Sequence, residues 1–305
     1  MDHQLATAEL EINRMKDVDL YLTVEGLIGA GKSALMDSIK RFKQPIGFDY
    51  HMAVVDEPVD KWRDKMYTVY DKPYIEDKCI LIVLFISAIC VAFIKPFFNH
   101  SSDLYVSLSV IILSLWIIFC LIVGPKKSLR NILDCFYYDT AKYGFIFQIT
   151  AFTTRLANIL EALSKIPKDG RKIFLITERH MRTDKLFYYN VYKNKLATEL
   201  EWNTYKNFFG IICASTNNRV NVMFHVKTDV GICEKRIAKR DRTEECNLPK
   251  QLLPQLEKSH EEMFQEARDQ GIRVITINFN EDMTPEQMDK VVHPYLIQLL
   301  KEQRK

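Results

Sequence analysis

Residues 26–33 restrict what this chain can fold into more than any other segment. They read Gly-Leu-Ile-Gly-Ala-Gly-Lys-Ser, which fits the phosphate-binding loop template of Gly, four residues, Gly and Lys-Ser. The apolar run 20–24 before the loop predicts a buried strand, and residues 34–39 after it predict a helix. A glycine-rich loop in that context wraps a triphosphate with its backbone N–H groups, aided by the helix N-terminus. A glycine-rich turn without a ligand is the alternative interpretation.

The residue types inside the loop predict a division of roles. Lys32 is expected to reach the β- and γ-phosphates, and the Ser33 hydroxyl is expected to bind Mg²⁺. The remaining candidate triphosphate-binding residues form the backbone cradle: Gly26, Gly29, Ala30 and Gly31.

Composition limits the remaining possibilities. A chain of 305 residues suits one large domain or two small ones, and a formal net charge of +3 is too small to predict nucleic-acid binding. Seven cysteines without a Cys-x-x-Cys pair are typical of a reducing compartment. Residues 1–17 form an N-terminal tail without the apolar core of a secretory signal. We therefore expect a cytoplasmic protein, with a mitochondrial location as the alternative.

Short apolar runs alternate with helical patterns along most of the chain. Strands are predicted at Leu20–Val24, His51–Val55, Lys172–Thr177, Val220–His225 and Arg273–Ile277. Helices are predicted at Lys32–Phe42, Thr140–Leu163, Thr183–Lys193, Gly231–Lys239, Pro249–Gln270 and Pro285–Gln303. Together with the phosphate-binding loop, this alternation predicts an α/β fold with about five parallel strands flanked by helices. Ligands of such sheets bind beyond the carboxyl ends of the strands.

Charged residues follow two of these strands. Glu57 comes after the second strand and suits a general base that deprotonates an attacking hydroxyl, although exposed loop acids are common. Glu178 follows the third strand, where phosphate-loop enzymes often hold an acid for Mg²⁺, and Arg179 beside it suits a transferring phosphoryl group. A structural surface ion pair is the alternative for Glu178 and Arg179.

A third cluster contains Arg236, Arg240 and Arg242. The first two are four residues apart and hence share a helical face, and Arg242 lies at the start of a predicted loop. Guanidinium groups grip phosphates and stabilise charge on a transferring phosphoryl group. The alternatives are a solvated basic face or a nucleic-acid surface, and the neighbouring acids argue against the second.

Residues 65–129 break the pattern of the rest of the chain. They contain two predicted hydrophobic helices, 79–98 and 104–124, with basic residues outside both ends. The positive-inside rule predicts a hairpin with both ends on the cytoplasmic side of a membrane. Three readings stay open: a membrane tether through residues 79–124, an apolar helical pair packed on a partner, or a translated intron that the mature protein lacks.

The ordered motifs Gly-x4-Gly-Lys-Ser, Glu-Pro-Val-x-x-Trp, Phe-Gln, Glu-Arg and Arg-x3-Arg-x-Arg-x-Glu-Glu resemble those of the deoxyribonucleoside kinase family. That family includes the deoxycytidine and deoxyguanosine kinases. The resemblance covers nearly the whole chain outside the insertion. It implies a phosphate-loop kinase domain formed by residues 18–64 and 130–305.

The resemblance implies transfer of a phosphoryl group from ATP, with Mg²⁺, to the 5′-hydroxyl of a deoxyribonucleoside in nucleotide salvage. It makes Glu57 the base, lets Arg179 position the hydroxyl and the phosphoryl group, and assigns the three arginines above to a lid over ATP. A homodimer is also implied. The implied nucleoside-binding residues are Glu57, Tyr137, Phe147, Gln148, Arg155, Asp184 and Glu245.

Arg155 and Asp184 match positions where deoxycytidine and deoxyguanosine kinases carry Arg and Asp, whereas members that accept thymidine carry apolar residues there. The resemblance therefore favours deoxycytidine and purine deoxynucleosides. Two alternatives are a kinase-like structural subunit of a membrane complex, of the respiratory complex I type, and another nucleoside or nucleotide kinase.

Overall fold

The computed structural model of the chain describes residues 13–70, 111, 127–216 and 219–303. The chain divides into two compact units, of which one comprises residues 1–65 and 131–305 and the other comprises residues 66–130. We call the first the main unit. The predicted hydrophobic helices 79–98 and 104–124 lie outside the described residues, apart from Ile111. Within the part of the chain that is described, no helix is long and apolar enough to cross a membrane.

A five-stranded parallel sheet forms the centre of the main unit, and it confirms the predicted α/β class. Its strands are β1 (Val18–Glu25), β2 (Tyr50–Val55), β5 (Lys172–Glu178), β6 (Val222–Lys227) and β7 (Arg273–Asn278). Their order across the sheet is β2-β5-β1-β6-β7. Two further strands, β3 (Met66–Tyr70) and β4 (Lys127–Asn131), pair with each other in a separate sheet.

Helices connect the strands of the main sheet. They are α1 (Lys32–Arg41), α2 (Val59–Arg63), α3 (Ile132–Tyr138), α4 (Thr140–Ser164), α5 (Met181–Lys193), α6 (Glu199–Ser215), α7 (Val230–Arg240), α8 (Leu252–Asp269) and α9 (Pro285–Glu302). Short 3-10 helices cover Arg14–Asp17 and Thr243–Asn247.

Burial along the central strands explains why the sequence forms a covered parallel sheet. Six consecutive residues of β1, from Leu20 to Glu25, are buried, and six of the seven residues of β5 are buried. Such runs occur when helices cover both faces of a sheet, so that side chains on either face enter the core. Leu22, Phe174 and Phe224 from three adjacent strands are fully buried in this core.

The predicted elements agree with the structure within a few residues, and β6 shows the clearest shift. It was predicted from Val220, but it begins at Val222. Just before this strand, the side-chain Oδ1 of Asn221 accepts a hydrogen bond from the Tyr21 backbone N–H at 2.7 Å.

Three helices, α2, α3 and α6, were not predicted. The longest of them, α6, begins with a capping box in which the Thr198 side chain and the Glu201 side chain each bond the other's backbone N–H. That Thr-x-x-Glu spacing is the sequence feature from which the start of α6 could have been predicted. Trp202 and Tyr205 of this helix are buried, but Leu200 and Ile211 are exposed, so its apolar residues do not mark one face clearly.

The strand ends bring the predicted functional residues to one edge of the sheet. Val24 of β1 is in register with Glu178 of β5, and Val55 of β2 is in register with Thr177. The segments that follow these strands therefore start side by side, although they are distant in sequence. Glu57 and the phosphate-binding loop both lie in such segments.

Candidate active site

The phosphate-binding loop has a conformation that depends on its glycines. Gly29 has a φ of 80° and Gly31 a φ of 99°, both in the left-handed region that favours glycine. A Cβ atom on Gly29 would lie 2.7 Å from the backbone oxygen of Cys233 in α7. At Gly29 the loop thus packs against α7 at a distance that only glycine permits.

Lys32 is buried and its ammonium group donates a hydrogen bond to the Leu27 carbonyl oxygen at 2.8 Å. Burial and the positive charge of Arg179 lower the pKa of Lys32 to about 8. A lysine held in this way gains stabilisation from any anion that enters the loop. The Ser33 hydroxyl faces the Glu178 carboxylate, 3.4 Å from Oε2.

Glu57 is held by two guanidinium groups. Its Oε1 lies 3.0 Å from Nη2 of Arg155 and 3.1 Å from Nε of Arg179. Burial opposes ionisation of this carboxyl, but the charges of Arg179, Arg155 and Lys32 prevail and lower its pKa to about 2. Glu57 is therefore a charged hydrogen-bond acceptor at neutral pH.

Arg179 itself is strained and incompletely paired. Its φ of 65° is left-handed, which is uncommon for a residue with a side chain. Its Nη1 atom is buried and has no hydrogen-bond partner within the described structure. A buried guanidinium N–H without an acceptor is costly, so an anionic or hydroxyl-bearing ligand at this point would relieve that cost.

A cavity of about 500 Å³ connects these groups. It is lined by most of the sequence-predicted site residues: Gly29, Gly31, Lys32, Ser33, Glu57, Tyr137, Phe147, Gln148, Glu178, Arg179, Asp184, Arg236, Arg240, Arg242 and Glu245. Gly26, Ala30 and Arg155 are not among the lining residues. Arg155 lies behind the cavity wall, where it is 2% exposed and bonds Glu57, Asp184 and the Glu178 carbonyl.

The three predicted lid arginines have different partners. Arg236 donates to the Ala30 carbonyl at 3.4 Å and to Asp282 at 3.0 Å. Arg240 donates from Nε to Glu245 at 2.7 Å, and Arg242 lies 3.7 Å from the same carboxylate. Glu245, which lines the cavity, therefore holds Arg240 at the end of α7.

Aromatic rings form the opposite wall. Phe147 stacks on Phe136 with ring centroids 4.5 Å apart and meets Trp62 edge to face at 5.4 Å. Gln148 is 1% exposed, and its side chain reaches the cavity from the same turn of α4. Tyr137 completes this wall, and burial together with the charges of Glu245 and Glu57 raises its pKa above the ordinary range.

Sequence reasoning missed several charged groups at the site. Asp37, Lys40, Asp56 and Asp60 line the same cavity, and Lys40 pairs with Asp56 at 2.6 Å. Glu25 is fully buried beneath the site, where it accepts hydrogen bonds of 2.6 Å from the His180 backbone N–H and the Thr183 hydroxyl. In the sequence, its position directly before Gly26 is the feature that could have placed Glu25 near the site.

The donor set suits a metal held partly by phosphates. Among residues 13–70, 127–216 and 219–303, no three His, Cys, Asp or Glu side chains cluster in a way that would hold a metal ion alone. Burial and the charge of Glu57 raise the pKa of Glu178, so a cation beside it would be favourable. One hydroxyl, one carboxylate and phosphate oxygens are the Mg²⁺ ligands of phosphate-loop enzymes.

Fold and cavity together place the chain among the phosphotransferases that are built on a phosphate-binding loop. Residues 22–299 match the sequence profile of the family described as deoxynucleoside kinase. The chain therefore belongs to the deoxynucleoside kinase family.

Individual relatives agree with this result. The chain is 28% identical over 154 residues to a protein of Fowlpox virus described as a probable deoxycytidine kinase, 27% identical over 187 residues to deoxycytidine kinase of Mus musculus, and 25% identical over 167 residues to that of Homo sapiens. These matches cover 50%, 58% and 52% of this chain and 63%, 70% and 64% of the relatives. A structural accessory subunit finds no support among these similarities.

Proposed function

We propose that this protein transfers the γ-phosphoryl group of ATP, with Mg²⁺, to the 5′-hydroxyl of deoxyribonucleosides, with deoxycytidine and purine deoxynucleosides favoured. One observation carries the proposal. The Glu57 carboxylate is held by Arg155 and Arg179 in the wall of the same cavity into which the phosphate-binding loop opens. An acceptor hydroxyl and a donor phosphate therefore have adjacent sites.

The donor end rests on the phosphate-binding loop and α7. Backbone N–H groups of the loop and the Lys32 ammonium would bind the β- and γ-phosphates, and Arg236, Arg240 and Arg242 line the cavity above them. Phosphoryl transfer needs little covalent chemistry from the protein, because its transition state is mainly stabilised by positioning and charge. Preorganised cations supply that stabilisation.

Glu57 would receive the proton of the attacking hydroxyl. Its low pKa keeps it ionised, so it can accept a hydrogen bond from the 5′-hydroxyl and hold that oxygen in line with the phosphorus atom. Arg179 fixes Glu57 through Nε and offers the unpaired Nη1 to the hydroxyl or to the phosphoryl group. One arginine then orients both reactants.

The nucleoside would lie along the aromatic wall. Tyr137 and Glu245, both at the cavity, would bind the 3′-hydroxyl as donor and acceptor. Gln148 would pair with the edge of the base while Phe147 packs nearby. Asp184 lines the cavity and Arg155 holds it from behind, so the pair would define which base edge fits.

Ser33 and Glu178 are the residues that would hold Mg²⁺. When bound, the ion would neutralise charge between the β- and γ-phosphates. The 3.4 Å contact between the two side chains places a hydroxyl and a carboxylate oxygen together beside Lys32, which supports this assignment.

Several finer expectations remain predictions. The domain division with an insertion at 65–129, the membrane hairpin within it, the cytoplasmic location and the homodimer rest on sequence patterns and on the resemblance.

The test is a phosphorylation assay of the purified full chain with Mg²⁺, ATP and four deoxynucleosides, in which 5′-monophosphates are measured by mass spectrometry. We expect deoxycytidine and the purine deoxynucleosides to give product, and Lys32→Met to give none, which excludes a contaminating kinase. Thymidine as the best substrate would overturn the base preference. Phosphorylation of nucleoside monophosphates without phosphorylation of nucleosides would overturn the function.

A further inference from the structure

Glu244 is a buried carboxylate to which the proposed reaction assigns no role. It lies in the 3-10 helix Thr243–Asn247 that follows α7, and it is 2% exposed. Its neighbour Glu245 lines the cavity, whereas Glu244 is absent from the cavity lining. A charge is rarely buried this completely unless it is paired.

Two residues from a distant part of the chain pair with it. Arg63 donates from Nε to Glu244 Oε1 at 2.6 Å, and Asn131 donates from Nδ2 to the same oxygen at 3.2 Å. We call Glu244, Arg63 and Asn131 the junction cluster. Burial favours the neutral form of Glu244. Hydrogen bonds from its own backbone N–H, from Arg63 and from Asn131 outweigh burial and lower its pKa, so Glu244 stays charged.

The positions of Arg63 and Asn131 in the chain are distinctive. The main unit is interrupted between Lys65 and Asn131. Arg63 therefore lies just before the interruption, and Asn131 is the first residue after it. The two ends of this long interruption thus meet on one carboxylate oxygen.

Each member of the junction cluster is joined to a wall of the cavity. Arg63 ends α2, whose Trp62 lines the cavity. The Asn131 side chain caps α3 by accepting the Asp134 backbone N–H at 2.8 Å, and α3 carries Tyr137. Glu244 therefore connects the supports of Tyr137 and Glu245, the two proposed partners of the 3′-hydroxyl.

We propose that Glu244 is a positioning residue for sugar specificity: by holding Arg63 and Asn131 it fixes α3 against the turn that bears Glu245, and so sets discrimination for a 3′-hydroxyl. This inference rests on the proposed function. Its chemical consequence is a preference for 2′-deoxynucleosides over 2′,3′-dideoxynucleosides that depends on a residue outside the cavity.

The kinetic test compares kcat/KM for deoxycytidine with that for 2′,3′-dideoxycytidine. We expect Glu244→Ala to reduce the wild-type preference by about tenfold, equivalent to roughly 1.4 kcal/mol, mainly through KM for deoxycytidine. Glu234→Ala, an exposed substitution on α7, is the matched control and should keep the preference.

A conservative variant separates positioning from a general loss of stability. Asn131→Asp keeps the oxygen that caps α3 but turns a carboxylate towards Glu244, so it should also reduce the preference. Glu244→Gln keeps one amide oxygen that can accept from both Arg63 and Asn131, so it should retain more of the preference than Asn131→Asp. A preference in Glu244→Gln as low as that in Asn131→Asp would overturn the proposed contact.

Hydrogen exchange tests the junction cluster without using activity. In Glu244→Ala, backbone amides of residues 131–138 and 240–248 should exchange faster, while those of β1 and β5 stay unchanged. Unchanged exchange in both segments would overturn the anchoring role, and faster exchange with an unchanged preference would overturn the role in specificity. A wild-type chain that phosphorylates no nucleoside would instead overturn the proposed function, whatever the exchange result.

Discussion

Arg155 and Glu57 form an ion pair of 3.0 Å in which the arginine is 2% exposed. The same guanidinium bonds both carboxylate oxygens of Asp184, at 2.9 Å and 3.1 Å. One buried cation therefore links the proposed acceptor-binding carboxylate to the proposed base-reading carboxylate. Substitutions at Asp184 are consequently expected to affect both base preference and the placement of Glu57.

Glu57→Gln removes the proposed proton acceptor while retaining its shape. We expect kcat to fall by about 10²- to 10⁴-fold, the usual contribution of a positioned general base. Circular dichroism and gel filtration should match the wild type. Asp60→Asn, in an exposed residue that lines the same cavity, is the control and should retain most activity. Wild-type turnover of Glu57→Gln would remove Glu57 from this role.

Asp184→Ala leaves Arg155 buried with Glu57 as its single carboxylate partner, so the loss should stay below the roughly 3–5 kcal/mol of a fully broken buried pair. Urea unfolding should show that loss of unfolding free energy. Arg155→Met with Asp184→Ala removes both charges, so it should be less destabilised than Asp184→Ala alone. The double variant should raise the ratio of thymidine to deoxycytidine kcat/KM by about tenfold or more. An unchanged ratio would show that this pair does not select the base.

Lys32 should make ATP binding dependent on pH. Its pKa in the free protein is about 8, and bound phosphates favour its charged form. Binding should therefore take up about half a proton near pH 8 and weaken as the pH rises further. Titration calorimetry with a non-hydrolysable ATP analogue in buffers of different ionisation enthalpy measures the uptake. Lys258→Met, an exposed control, should behave as the wild type, and binding without proton uptake would contradict the prediction.

Gly29→Ala should damage the phosphate-binding loop. A side chain at a φ of 80° costs about 1–2 kcal/mol, and its Cβ would lie 2.7 Å from the Cys233 carbonyl oxygen. We expect weaker ATP binding and a lower melting temperature. Gly210→Ala in α6 is the matched control, because its Cβ meets nothing within 4 Å and it should stabilise by up to about 1 kcal/mol. Equal melting temperatures for the two variants would argue against strain at Gly29.

Local patterns were sufficient for much of the fold. The strands predicted from short apolar runs form one parallel sheet, and the loop at 26–33 lies between a strand and a helix as expected. Helix α6 was missed because its apolar residues are not confined to one face: Trp202 and Tyr205 are buried, whereas Leu200 is 77% and Ile211 is 67% exposed. A helix with apolar residues on more than one face has no strong apolar period.

The sequence by itself determined the class of fold and the phosphate-binding loop, because glycine conformations and strand periodicity are properties of neighbouring residues. Only the tertiary structure decided the electrostatics of the site. Arg155 and Glu57 are 98 positions apart, and Arg63 and Glu244 are 181 positions apart. Coulomb energy and desolvation depend on distance and burial in space. The pKa of Glu57, the location of Arg155 behind the cavity and the burial of Glu244 therefore arise only when the sheet brings these segments together.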